Sequence, residues 1–193
     1  MRRPAAGTSA LMTAAIVGLC TIAAGASNVL HMTLRDLVAR ADQIVRGTVL
    51  DASEGTIFVG GGNLPIVTYR IRVDEPLKTS ASAGDVIEVR LLGSAKQMTV
   101  GASRRANLLR DLPKFTVGRD YLFVLTRPSE IGLSTTVGLG QGLFQLRGRP
   151  GQETAVNEAN NLGLFNGIDT APQAPGPVAY ATLVKEIKTL LGQ

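Results

Sequence analysis

Side chains able to do acid–base or covalent chemistry are scarce in this chain. Among 193 residues there is one histidine, His31, and one cysteine, Cys20. A nucleophilic hydroxyl or thiol needs a base within hydrogen-bond reach, and His31 is the only imidazole that could serve. It lies near the expected mature N-terminus, where chains are commonly mobile. One histidine and one cysteine cannot fill the three- or four-ligand nitrogen and sulfur shells of zinc sites. No metal, cofactor or catalytic set is therefore expected. Paired carboxylates could in principle cleave a glycoside. The candidates are Asp51 with Glu54, and the adjacent Asp74-Glu75, although neighbouring acids in turns are usually just solvated. Gly60-Gly61-Gly62 lacks the Lys-Ser/Thr and the helix start of a phosphate loop. Gly138-x-Gly140-x-Gly142 falls between strand signals, so a structural turn explains it better than a nucleotide fingerprint.

Basic residues are the other chemical feature. Between Arg90 and Arg149 there are ten Lys and Arg against Asp111, Asp120 and Glu130. Arg104, Arg105, Arg110 and Lys114 sit in a stretch, residues 93–118, that resists assignment and reads as a long insertion. They are the candidate contacts for an anionic polymer or a protein partner. Solvated loops and strand edges guarded by cations are the simpler alternative. With few aromatics and no Trp, the chain lacks the stacking run of single-strand nucleic-acid binders, so no nucleic-acid partner is expected.

The N-terminus carries its own message. Arg2 and Arg3 precede an apolar stretch, Leu11 to Ile22, followed by Ala24-Gly25-Ala26. A positive start, an apolar centre and a small-residue exit describe a secretory signal. Cleavage is expected between Ala26 and Ser27. The apolar run is short for a membrane-spanning helix, which needs ~20 residues, so no stable transmembrane span is expected after cleavage. A retained N-terminal anchor is the alternative. Lipid attachment at Cys20 is disfavoured, because bulky Leu19 occupies the preceding position, where lipoprotein signals carry a small residue. Removing residues 1–26 takes away the only cysteine and lowers the net charge from +5 to +3. A thiol-free chain of this length must be stabilised by one packed core. The protein is expected in the periplasm or outside the cell.

The elements that must position these residues are mostly strands. Thr33 to Ala41 reads as a short helix, with Thr33 and Asp36 forming a capping box and Leu34, Leu37, Val38 and Ala41 on one face. Strand signals follow at 44–52, 56–59, 65–73, 85–92, 120–126, 135–139 and 143–146. In 65–73, Val67, Tyr69, Ile71 and Val73 alternate with Thr68, Arg70 and Arg72, which makes one dry and one wet face. Asp120 to Thr126 is the most apolar and the most central. Residues 147–177, rich in Gly, Pro, Asn and Gln, read as an irregular surface excursion. Pro177 to Leu191 reads as an amphipathic helix ended by Gly192. The expected organisation is a signal over 1–26, a β-barrel domain over 27–146, the excursion over 147–177 and a C-terminal helix over 178–193.

Several motifs also occur together. Leu34-x-x-Leu37 and Ala41-Asp42-x-Ile44-Val45-x-Gly47-x-Val49 are followed by Pro76-Leu77-Lys78, Tyr121-Leu122-Phe123-Val124-Leu125 and Gly138-x-x-Gln141-Gly142-x-Phe144. Over about residues 33–146 this ensemble resembles a set of uncharacterised bacterial exported proteins. Thr79 and Gly93-Ser94 depart from the usual glycines of that pattern. The resemblance implies an OB-like closed or partly open β-barrel, distantly similar to the tissue inhibitors of metalloproteinases, and brings no established activity. Their inhibition uses an N-terminal cysteine, which the mature chain lacks. The reading that follows is an exported, non-catalytic binding module. A divergent secreted-protease inhibitor and a carboxylate-based hydrolase are the alternatives.

Overall fold

The computed structural model describes residues 30–93 and 112–193. Cys20, the Ala26/Ser27 junction, Arg104, Arg105 and Arg110 lie outside the described residues.

Helix α1, Leu34–Arg40, forms as its sequence predicts. The Thr33 hydroxyl accepts the Asp36 N–H at 3.2 Å, and the Asp36 carboxylate accepts the Thr33 N–H at 3.1 Å. The hydrogen bond from the Thr33 side chain is the main reason the Asp36 carboxyl is held below the usual carboxylate range. At the other end the Lys78 ammonium donates to the carbonyls of Val38 and Ala41, at 3.3 and 2.6 Å. It satisfies helix-end acceptors that would otherwise be orphaned.

Strands β1, Gln43–Val59, and β2, Gly62–Lys78, form one long hairpin. The sequence reads as two strands broken at Ser53-Glu54-Gly55. Pairing of these residues with Thr68, Val67 and Ile66 carries the ladder across the break. The turn is Gly60-Gly61, with φ of 59° and 81°, as a two-residue hairpin loop with left-handed residues requires. A bulge between Arg46 and Gly47 brings β2 close. A Cβ on Gly47 would lie 2.5 Å from the Arg72 carbonyl oxygen, so only glycine fits there.

The remaining strands are β3, Val86–Leu92; β4, Asp120–Leu125; β5, Leu143–Arg147; β6, Thr154–Val156; and β7, Val178–Ala179, which leads into helix α2, Tyr180–Leu191. All pair antiparallel in the order β3-β2-β1-β4-β5-β6-β7. β4 is central, as its apolar sequence implies. The fold is mainly β with one short N-terminal and one C-terminal helix, but the sheet is open where the sequence suggests an OB-like barrel. No ladder joins β3 to β7 among the described residues. The edges are protected in other ways. β7 is two residues long and turns into a helix, and the β3 edge is partly covered, the Ser134 N–H donating to the Arg90 carbonyl at 2.9 Å. Short or covered edges remove the drive to close a sheet. Residues 135–139 are not a strand. One bridge joins Thr136 to Leu125, and a 3₁₀ turn, Leu139–Gly142, follows.

Alternation along the strands builds two cores. On one face Ile44, Leu122, Val124 and Phe144 pack against Leu34 and Leu37 of α1 and Leu183 and Ile187 of α2. On the other, Val45, Val49, Ile71, Val73, Tyr121 and Phe123 enclose the ring of Phe115, whose centroid lies 4.7 Å from Tyr69 and 5.0 Å from Phe123. Residues 147–177 are not a surface excursion. They contribute β6, and they bury Ala155, Leu164, Phe165, Ile168 and Ala171 in the helix-side core. Asn157 and Asn161 permit this, each side-chain oxygen accepting the other's backbone N–H, at 2.8 and 3.1 Å. The Asn161 amide also donates to the carbonyls of Ala155 and Gly176. These contacts satisfy the buried loop backbone that makes such loops costly. Helix α2 starts three residues later than its sequence suggests, because Val178 and Ala179 are drawn into pairing with β6. Among the described residues no helix is long and apolar enough to cross a membrane.

Candidate functional site

The wet face of the β1–β2 hairpin continues past the end of the helix-side core as a polar trough. Alternation on β1 places Arg46 and Thr48 on the same face as Ile44, and the antiparallel register sets Arg72 of β2 and Asp120 of β4 on either side of Thr48. The Thr48 hydroxyl lies 2.7 Å from the Asp74 carboxylate and 2.8 Å from that of Asp120. Its single proton serves one of them at a time. The Arg72 guanidinium donates to Thr48 at 3.0 Å and to Asp74 at 2.8 Å, which offsets the like charges. The bond to Asp74 raises the Arg72 basicity further. A hydroxyl held this way straps three strands together. A carboxylate as its only base is a poor match for activating an alcohol.

Arg46 links this row to the helix. Its guanidinium donates to Glu153 at 3.1 Å and lies over the Tyr180 ring, 5.1 Å from the centroid. Burial pulls the Arg46 basicity down, but Glu153, Tyr180 and Asp120 outweigh burial and raise it. Glu153 is held below the usual range, first by a hydrogen bond from its own backbone N–H and then by Arg46 and the Gly151 N–H. The Tyr180 hydroxyl donates to Glu75 at 2.8 Å, and Glu75 also faces Lys188 at 3.7 Å. Burial, and then the Glu75 carboxylate, push the Tyr180 phenol far above its ordinary value, so it is a fixed neutral donor. The Arg46 Nε is buried without a hydrogen-bond partner among the described residues.

The trough runs as two adjoining depressions that share Arg46 and Glu75. One, of about 760 Å³, lies between α2 and the 151–154 turn, with Lys185, Lys188 and Gln193 on its walls. The other, of about 590 Å³, is lined by Thr48, Arg72, Asp74 and Asp120. Four cations (Arg46, Arg72, Lys185, Lys188) face four anions (Asp74, Glu75, Asp120, Glu153). Such a surface is balanced in charge and rich in oriented donors and acceptors. Among the described residues no group of three His, Cys, Asp or Glu is placed to hold a metal ion.

The residues singled out by sequence fall in different places. Asp74 and Glu75 line the trough, but each serves a different partner. Asp51 pairs instead with Arg70 at 3.0 Å, where both are half exposed, and Glu54 lies on the exposed part of the hairpin. Lys114 is exposed between the buried Pro113 and Phe115. His31 is exposed beside a shallow pocket of about 320 Å³ with Asp36, Arg40 and Gln141. The Gly138–Gly142 segment is a structural turn. The Gln141 side chain accepts the Met32 N–H at 2.8 Å and donates to the Leu30 carbonyl at 3.0 Å, holding the N-terminal segment like a strand. A Cβ on Gly142 would fall 2.4 Å from the Val137 carbonyl oxygen. Arg46, Thr48, Asp120, Glu153, Tyr180 and Lys188 were not legible as a site. The alternation of Arg70 and Arg72 marks the wet face, but Glu153 and Tyr180 reach it only through the fold.

No protein-family model matches the chain, and a comparison with curated proteins finds no match.

Proposed function

We propose that this protein is an exported, non-catalytic binding module for a protein or an anionic polymer outside the cytoplasm. The trough carries this reading. It is a concave surface whose ionisable groups hold one another in place, so hydrogen-bonding groups are oriented for a partner while no base stands beside an activated nucleophile. Preorganised polar groups of this kind suit recognition, because little side-chain freedom is lost on binding. We also read the half of the sheet that encloses Phe115 as OB-like. The support is that Thr126 and Ser134, on the segment after β4, hydrogen-bond to Thr135 and to Arg90 of β3. The basic residues between Arg90 and Arg149 add a field that favours anionic partners.

The test is retention of the folded protein on immobilised dextran sulfate as salt is raised. The wild type is expected to elute at higher salt than Arg104→Glu/Arg105→Glu, with Lys185→Glu/Lys188→Glu shifted as well. Elution of all three at the same salt would remove the anionic-polymer reading and leave a protein partner.

A further inference from the structure

Asn166-Gly167 is the one place in the sequence where glycine follows asparagine. It forms the corner of a turn within the 147–177 segment. The Ile168 N–H donates to the Phe165 carbonyl at 2.9 Å, and Gly167 takes the third position of the turn with φ of 78°. A positive φ there is what glycine supplies in such turns. Both corner residues are exposed. Among the described residues, neither the Asn166 side-chain amide nor the Gly167 N–H has a hydrogen-bond partner. The flanking residues, in contrast, are fixed. Phe165 and Ile168 are buried in the helix-side core, and the Gln173 amide donates to their carbonyls at 3.3 and 2.8 Å.

We propose that Asn166 is a site of spontaneous deamidation, and that the isoaspartate formed there loosens the helix-side core. The Gly167 amide nitrogen attacks the Asn166 Cγ. The new N–Cγ bond closes a succinimide ring, the Cγ–Nδ2 bond breaks, and the Gly167 proton leaves with the amide as ammonia. Glycine suits this step because no side chain crowds the attacking nitrogen. Water then adds to one of the two ring carbonyls. Opening at Cγ gives aspartate. Opening at the α-carbonyl gives isoaspartate, whose main chain runs through the side-chain methylene. Nearby asparagines lack these conditions. Asn157 and Asn161 are buried, and their amide nitrogens, the leaving groups, donate to backbone carbonyls. Asn160 is exposed, but the nitrogen that would attack it, that of Asn161, donates to the Asn157 side chain at 2.8 Å. Aspartate at 166 only adds a charge to an exposed corner. Isoaspartate adds a main-chain carbon between two held anchors, and a close-packed core does not stretch to absorb it.

The test is ageing of the folded protein in warm, mildly alkaline buffer, followed by proteolysis and tandem mass spectrometry. Asn166 is expected to convert to aspartate and isoaspartate, while Asn157, Asn160 and Asn161 in the same digest stay as asparagine. Methyl transfer by a protein isoaspartyl methyltransferase marks the isoaspartate. Asn166→Gln should remove most of that methyl acceptance, because glutamine would have to close a larger ring. Conversion at Asn166 no faster than at the other three overturns the site. The consequence is read on the isoaspartate form, separated from the aspartate form by chromatography. Its urea midpoint should fall below that of the fresh protein. Asn166→Asp, which carries the charge without the extra main-chain carbon, should keep the wild-type midpoint. An isoaspartate form as stable as the fresh protein overturns the loosening. An equal loss of stability in Asn166→Asp also overturns it, and assigns the effect to charge.

Discussion

The trough and the hairpin tip are built from the same two strands, yet they solve opposite problems. Near the sheet centre β1 and β2 carry Arg46, Thr48, Arg72, Asp74 and Glu75, and each is held by a neighbour. At the far end the same strands carry Phe58 and Leu64, which are exposed, and no charge for fifteen residues. In the trough, polar groups have neighbours on β4, the 151–154 turn and α2, so ionised side chains can be oriented at little cost. At the tip no other element of the described residues pairs with Thr56–Val59 or Gly62–Leu64, and Phe58 stays exposed. Substitutions in the trough should therefore change folding and binding together, whereas polar substitutions at the tip should leave stability within ~0.5 kcal/mol.

The sharpest way to break this contrast is beneath the trough. Gly47→Val would drive a side chain into the Arg72 carbonyl and the Ile71 side chain. It should cost about 3 kcal/mol or more and disorder the Arg46–Thr48 row, read as a lower urea midpoint. A variant as stable as wild type would mean that β1 and β2 are not bulged together there. Next is Arg46→Ala, which removes the cation over Tyr180 and the packing of the arginine stem. A loss of about 1–2 kcal/mol by chemical denaturation is expected, with a weakening of polyanion retention that Phe58→Asp does not share. The smallest effect at neutral pH belongs to Tyr180→Phe, about 1 kcal/mol for the lost bond to Glu75. Its signature is the pH dependence. The folded phenol holds its proton above its ordinary value near 10, whereas the unfolded one releases it there. The stability this contributes is complete below pH ~10 and falls as pH rises further. The variant should lose less stability on the alkaline side, with the remainder assigned to buried Tyr69, whose phenol is also raised. Identical alkaline unfolding of the two proteins would refute the buried Tyr180–Glu75 contact.

Sequence reading went furthest where the physics is local. The Thr33–Asp36 capping box, the α2 stripe ending at Gly192 and the alternation of 65–73 need only neighbours a few residues away, and each is present in the fold. It failed where a distant partner decides the outcome. Ser53-Glu54-Gly55 looked like a break but is held in β1 by the facing strand. The 147–177 segment looked solvated because it is rich in Gly, Pro and Asn, but Asn157 and Asn161 use those polar atoms to satisfy their own buried backbone. Asp74 and Glu75 were visible as a pair of acids. Their separate partners, Thr48 and Arg72 for one and Tyr180 and Lys188 for the other, were not.

By itself the sequence determined the chemical inventory: one histidine, no cysteine after residue 20, a basic balance, and apolar periods that must become strands and two helices. These follow from composition and from spacing within a turn or a strand. Only the tertiary structure decided that the sheet stays open, that Arg46 meets Glu153 across 107 residues and that Tyr180 meets Glu75 across 105. It also decided that the uncharged run from Gly55 to Tyr69 folds into a hairpin whose tip leaves Phe58 largely exposed. Such contacts depend on register, bulges and edge protection, which are set by which strands find one another rather than by any strand alone.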